Sequence, residues 1–108
     1  MTAQIEVSVK VYLYEQVENS EKTNFFGEII NFAEVYPTWE RAEQSLKIIE
    51  VKDKEDGVAV DTAIGRIYQY HHEYKNDKGE RVWEIRHERF RKDGKLGYDA
   101  CRVIEKTF

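Results

Sequence analysis

The sequence predicts an α+β fold: one strand, two helices and then a three-strand antiparallel meander, with the helices packed on one sheet face. Three observations point to it. Apolar and polar residues alternate in IEVSVKVYL near the start, and apolar residues recur at helical spacing between residues 25 and 50. Two glycine turns, NDKG and KDG, then divide a strand-like C-terminal half.

The first strand is expected over about residues 4–14. Ile5, Val7, Val9, Val11 and Leu13 are apolar, Glu6, Ser8 and Lys10 lie between them, and branched side chains suit a pleated, half-buried face. The polar run EQVENSEKTN reads as a connection. In FFGEIINFAEVY, Phe25, Ile29, Phe32 and Tyr36 recur at helical spacing while Phe26, Ile30 and Ala33 fill the adjoining flank, so a short helix is expected despite Gly27 and the isoleucines. Pro37 ends it by restricting Tyr36. In TWERAEQSLKIIE, Trp39, Ala42, Leu46 and Ile49 share one side, Thr38 is available as a cap, and Glu40 complements the positive helix end. Trp39 and Phe25 are expected in the core.

Strands follow near 63–75, 80–91 and 96–106, with the first strand added to the same sheet. The turn at 76–79 allows two registers. A four-residue loop sets His72 opposite Trp83, Tyr70 opposite Ile85 and Tyr68 opposite His87, making an aromatic and imidazole stripe. A three-residue loop ending at Gly79 sets His72 opposite Glu84 and Tyr70 opposite Arg86 instead. At the second turn, a three-residue loop from Lys92 to Gly94 sets Phe90 opposite Leu96, Glu84 opposite Arg102 and His87 opposite Asp99. A two-residue Asp-Gly turn shifts those pairs.

The 108 residues fit one compact domain spanning 1–108, and 41% hydrophobic with 35% charged residues is the profile of a folded chain rather than a disordered one. Cys101 is the lone cysteine, which excludes an intrachain disulfide and reads first as a small buried strand residue. A cytoplasmic setting is expected on that ground. No apolar run reaches the roughly 18 residues of a membrane span, and the first residues lack the pattern of a secretion signal, so no membrane association is expected. The net charge of −4 argues against broad affinity for nucleic acid. Residues 1–62 carry thirteen acids against six bases, whereas residues 63–108 carry eleven bases against eight acids, which leaves room for a basic patch on the second half.

All three histidines lie within YQYHHEYKNDKGERVWEIRHERF. Strand alternation sends His71 and His72 to opposite faces, and neither an HExxH helix nor paired cysteines fix a metal geometry, so neither metal nor cofactor is expected. Tyr68, His87 and Asp99 would form a line across three strands if the four-residue loop held. No activated serine or cysteine, phosphate-cradling glycine run or carboxylate pair accompanies them, and no residue is assigned a catalytic role. Tyrosine, tryptophan and arginine together suit a protein-binding surface. The candidates are Tyr68, Tyr70, His72, Tyr74, Trp83, Arg86, His87 and Arg89 on the sheet. Glu43, Glu50 and Asp53 belong to an acidic region shared with Glu40, Glu55 and Asp56, which would steer a basic partner. The expected function is a small, non-enzymatic regulatory or inhibitory domain that binds another protein. A homodimer would protect its sheet edges. The alternative is an RNA-binding or RNA-cleaving domain using His87, Glu84 and Arg86, a ribonuclease in the cleaving case.

Overall fold

The computed structural model of the chain describes residues 9–20, 27–62, 65–91 and 94–108. Its elements are β1 (Lys10–Ser20), β2 (Ile29–Tyr36), α1 (Trp39–Ile49), β3 (Ala59–Thr62), β4 (Gly65–Lys75), β5 (Arg81–Arg91) and β6 (Gly94–Thr107). The six strands form one sheet in the order β2-β1-β6-β5-β4-β3, and every neighbouring pair is antiparallel.

This is a β-rich fold with one short helix among the described residues, not the two-helix α+β arrangement the sequence suggests. The expected helix over 25–36 is the strand β2, and a bulge explains the error. Val17 opposes Ile30 but Gln16 opposes Phe32, so Asn31 is an extra residue in β2. The insertion changes the parity of the strand and brings Ile29, Phe32 and Tyr36 to one face, opposite Glu18, Gln16 and Tyr12. A bulged strand thus reproduces a spacing of three and four. Isoleucine, valine and aromatic residues favour the strand intrinsically. Phe25 and Phe26 lie outside the described residues, as do Ile5 and Val7 of the first expected strand.

β1 is described from Lys10 and continues to Ser20, past the expected end near residue 14, because its polar half finds partners. Ser20 donates to Glu18 at 3.2 Å, and Glu18 lies 3.8 Å from Arg89 Nη2. β1 lies inside the sheet next to the edge strand β2, paired along its whole length with β6 from Lys10–Thr107 to Ser20–Gly97. β4, β5 and β6 form the expected meander, and β3 adds a short edge strand that the sequence does not single out.

α1 follows its sequence pattern closely. The Thr38 hydroxyl accepts from the Arg41 amide at 3.4 Å, and Glu50 ends the helix in an extended conformation. Ala42 and Leu46 are buried against Tyr14, Ile85, Cys101 and Val103, with Tyr12, Tyr36, Trp39, Ile49 and Trp83 packed around them. These sheet residues share one face by strand alternation, which makes it the helix face. Among the described residues the opposite face has no helix, yet Val82, Glu84 and Ala100 on it are buried.

Candidate functional site

Between α1 and the β4–β5 hairpin lies a groove of about 360 Å³. Leu46, Ile85, Trp39 and Trp83 supply its apolar surface; Glu43, Lys47 and Glu50 line it from the helix, and His71 and Glu73 from β4. Trp39 reaches it because it opens α1, and Trp83 because β5 places odd-numbered residues on the helix face. The two indoles pack at 4.3 Å between centroids, tilted by 40°. Trp83 also carries the Arg81 guanidinium over its ring at 4.6 Å, and that guanidinium pairs with Glu73 at 2.6 Å.

The end of the groove is held by residues 50–58 strapped to β4. The Gln69 side chain is fully buried and uses its amide as a section of backbone would. Its Oε1 accepts from the Val51 amide at 2.8 Å and its Nε2 donates to the Val51 carbonyl at 3.0 Å. Gln69 Oε1 also lies 2.8 Å from His87 Nε2, which must donate there. The Gly57 amide donates to the Gln69 carbonyl at 3.0 Å.

Beside this strap, His71 is clamped by two carboxylates. Nδ1 lies 2.6 Å from Asp56 Oδ1 and Nε2 lies 3.0 Å from Glu50 Oε1, while the His71 amide donates to Asp56 Oδ2 at 2.9 Å. Only an imidazolium donates from both ring nitrogens. The hydrogen bond to Asp56 and the weaker one to Glu50 raise the His71 pKa above the ordinary histidine value against the opposing effect of its burial, and the same bond lowers that of Asp56. His87, by contrast, is pushed down by burial, and the Asp99 charge only partly offsets this.

The hairpin adopts the register set by the three-residue loop. His72 opposes Glu84, Tyr70 opposes Arg86, and Gln69, not Tyr68, opposes His87. The aromatic and imidazole stripe is therefore not assembled. Tyr68 opposes Glu88 and packs edge-on against Phe90 at 5.1 Å on the helix-free face. At the second turn, Glu84 opposes Arg102 and His87 opposes Asp99 as expected, but a bulge after Arg89 pairs Phe90 with Lys95 rather than Leu96.

The expected site residues consequently divide between two faces. Trp83, Glu43 and Glu50 border the groove, whereas the His72 ring stacks on Tyr70 at 6.1 Å on the face of Glu84. Asp53 stands on the exposed strap, in a left-handed conformation with φ 59°. His87 and Arg89 share the helix face but lie outside the groove lining. Tyr68, Tyr70, Tyr74 and Arg86 belong to the helix-free face with Glu84. There, Glu84 is buried between Arg86 at 3.0 Å and Arg102 at 3.3 Å, and accepts from the Tyr74 hydroxyl at 3.3 Å. The Arg102 Nε contact is off the hydrogen-bond line, so it is ionic only. Arg102 and Tyr98 both reach Glu28, and Arg86 stacks on Tyr98 at 4.0 Å. Much of the charge on this face is consumed internally.

His87 is thus separated by the sheet from Glu84 and Arg86, and these three are not brought together. Cys101 is buried, accepts from the Tyr14 hydroxyl at 3.3 Å, and has its thiol pKa raised by burial. Among the described residues no group of three or more histidine, cysteine, aspartate or glutamate side chains is placed to hold a metal ion. No helix among them is long and apolar enough to cross a membrane. Sequence reasoning missed Gln69 and the pairing of Asp56, placed only in an acidic region, with His71. Gln69 carried one signal, a polar residue at an inward position of a strand, whereas the Asp56–His71 pairing depends on a loop path that no local pattern encodes. No protein-family model, curated protein or solved structure matches this chain.

Proposed function

We propose that this protein is a non-enzymatic regulatory or inhibitory domain that binds another protein, and that the groove between α1 and β4–β5 is its contact site. The observation that carries this reading is the pair of exposed-edge tryptophans set in an apolar depression with a charged rim, the composition of an interface hot spot. The volume of about 360 Å³ suits one or two side chains of a partner segment. The helix-free face is a weaker contact surface, since Arg86, Arg102 and Glu84 already satisfy one another. The nucleic-acid alternative loses support for the same reason, because its arginine is committed and its histidine faces the other way.

A random peptide display library panned against the protein tests the reading. Enriched peptides should bind with a change in tryptophan fluorescence, since both tryptophans of the chain line the groove. They should be lost on Glu43→Phe, which fills the groove from the helix rim, with the circular dichroism spectrum unchanged. Enrichment that is indifferent to Glu43→Phe, or a preference for single-stranded RNA over every peptide, would overturn it.

A second copy of the chain is a further partner favoured by a separate observation. Among the described residues nine large apolar side chains are exposed, and four of them, Ile29, Ile30, Phe32 and Val35, sit on the eight-residue edge strand β2. Edge strands of this kind invite pairing.

A further inference from the structure

We infer that the groove recognises a lysine or arginine side chain of the partner, whose head group takes the Glu50 carboxylate from His71 and thereby releases the imidazolium's second proton. This rests on the groove being the contact site, and it specifies what enters. Glu43, Glu50 and Glu73 border the groove from the helix face, against Lys47 and the His71 imidazolium, while Glu84, which also lines it, is held by Arg86 and Arg102. A long side chain with an apolar stem and a cationic head matches apolar walls under an acidic rim. The protein already displays this chemistry internally, where Arg81 lies over Trp83 with its guanidinium on Glu73.

The carboxylates are available because their present partners are weak ones. Lys47 pairs with Glu43 at 3.2 Å and is 60% exposed; Arg81 is 50% exposed and His71 41%. Exposed pairs of this kind add little stability and exchange readily. His71 differs from the other two in that its charge is conditional. The charged groups around it are Asp56 on the strap, Glu50, Glu43 and Lys47 on the helix, Glu73 two residues along β4, its neighbour His72, and His87 on β5. Asp56 holds Nδ1 at 2.6 Å and also binds the His71 amide, so it remains when a ligand arrives. Glu50, held by Nε2 alone, is the carboxylate that can turn into the groove. Once it does, Nε2 has lost the partner that required its proton, and the neutral imidazole with Nδ1–H kept on Asp56 suffices. Binding and proton release are then linked, and affinity increases with pH through the His71 titration.

The probe is a capped pentapeptide with arginine between two leucines, compared with the same peptide carrying citrulline, which keeps the shape and removes the charge. Tryptophan fluorescence gives the affinities, and calorimetry near pH 6.5 in two buffers of different ionisation enthalpy gives the protons released. The arginine peptide should bind roughly tenfold more tightly than the citrulline peptide. It should release a measurable fraction of a proton and bind more tightly at pH 8 than at pH 5.5. Glu50→Gln should abolish both the preference and the pH dependence. Equal affinities would overturn recognition of the cation, and buffer-independent heats would overturn displacement of His71. Failure of both peptides to bind overturns the inference as a whole. Peptides enriched by display that lack lysine and arginine would do the same while leaving the groove itself as the contact site.

Discussion

Replacing Gln69 with leucine removes one amide and keeps most of the buried volume, which isolates the strap from the packing beneath it. Three hydrogen bonds are lost: two to Val51, at 2.8 and 3.0 Å, and one from His87 at 2.8 Å. At about 1 kcal/mol net for each, the loss approaches 3 kcal/mol. Val51 is only half-buried, so water replaces part of what its amide and carbonyl lose, and the expected destabilisation is about 2–3 kcal/mol. For a small domain with a urea m-value near 1–1.5 kcal/mol/M, the unfolding midpoint should fall by roughly 2 M. Hydrogen exchange provides the local control, since the Val51 amide should exchange faster while amides in the β1–β6 ladder follow only the global change. A midpoint shift worth less than about 0.5 kcal/mol, or an equally protected Val51, would refute the strap as described.

The histidines should titrate in opposite directions by NMR, with His71 above about 6.5 and His87 below it. His71 binds its proton more tightly folded than unfolded, so that contribution to stability is full below about pH 6.5 and lost as pH rises through its folded value. Asp56 contributes in the opposite sense, above about pH 3.9, and that part is lost as pH falls through its lowered folded value. The stability difference between wild type and His71→Asn in urea should therefore shrink from pH 5.5 to pH 8.5, and a constant difference would count against the clamp. Gly97→Ala should cost more than about 3 kcal/mol or prevent folding, since φ is 113° and a Cβ would overlap the Asn19 carbonyl oxygen. If β2 joins two copies, light scattering should show a concentration-dependent dimer that Phe32→Lys with Val35→Lys converts to monomer; a persistent wild-type monomer removes the second copy as a partner. Cys101 should resist alkylation in the native state and react on unfolding, and rapid native labelling would contradict its burial.

What was legible in the sequence was whatever local periodicity encodes. Thr38 and the Trp39, Ala42, Leu46, Ile49 stripe specify α1, and the glycine turns delimit the meander. β2 was misread because one inserted residue, Asn31, imposed helical spacing on a strand, and a period alone does not distinguish the two. Branched residues at Ile29, Ile30 and Val35 carried the correcting signal. The candidate site was legible only in its parts. Trp83, Glu43 and Glu50 were identified, but one residue of hairpin register sent Tyr68, Tyr70 and Tyr74 to the far face. The strap depends on Gln69 and Asp56 meeting partners fifteen to eighteen residues away around a loop. Such contacts are decided by tertiary packing.

The pairing of β1 with β6 has a consequence for how the chain reaches this state. Lys10 meets Thr107, so the β1–β6 ladder joins segments far apart in the sequence, and no part of it can form on a ribosome until β6 has emerged. Until then the product is two separate pieces, the β1–β2 hairpin and the β3–β4–β5 unit, with α1 lacking the Cys101 and Val103 half of its seat. A chain interrupted before β6 would leave one open edge on β1 and one on β5, where the intact protein has its interior. Such fragments should be subject to aggregation and proteolysis, and cellular quality control should see them as such long before the groove exists.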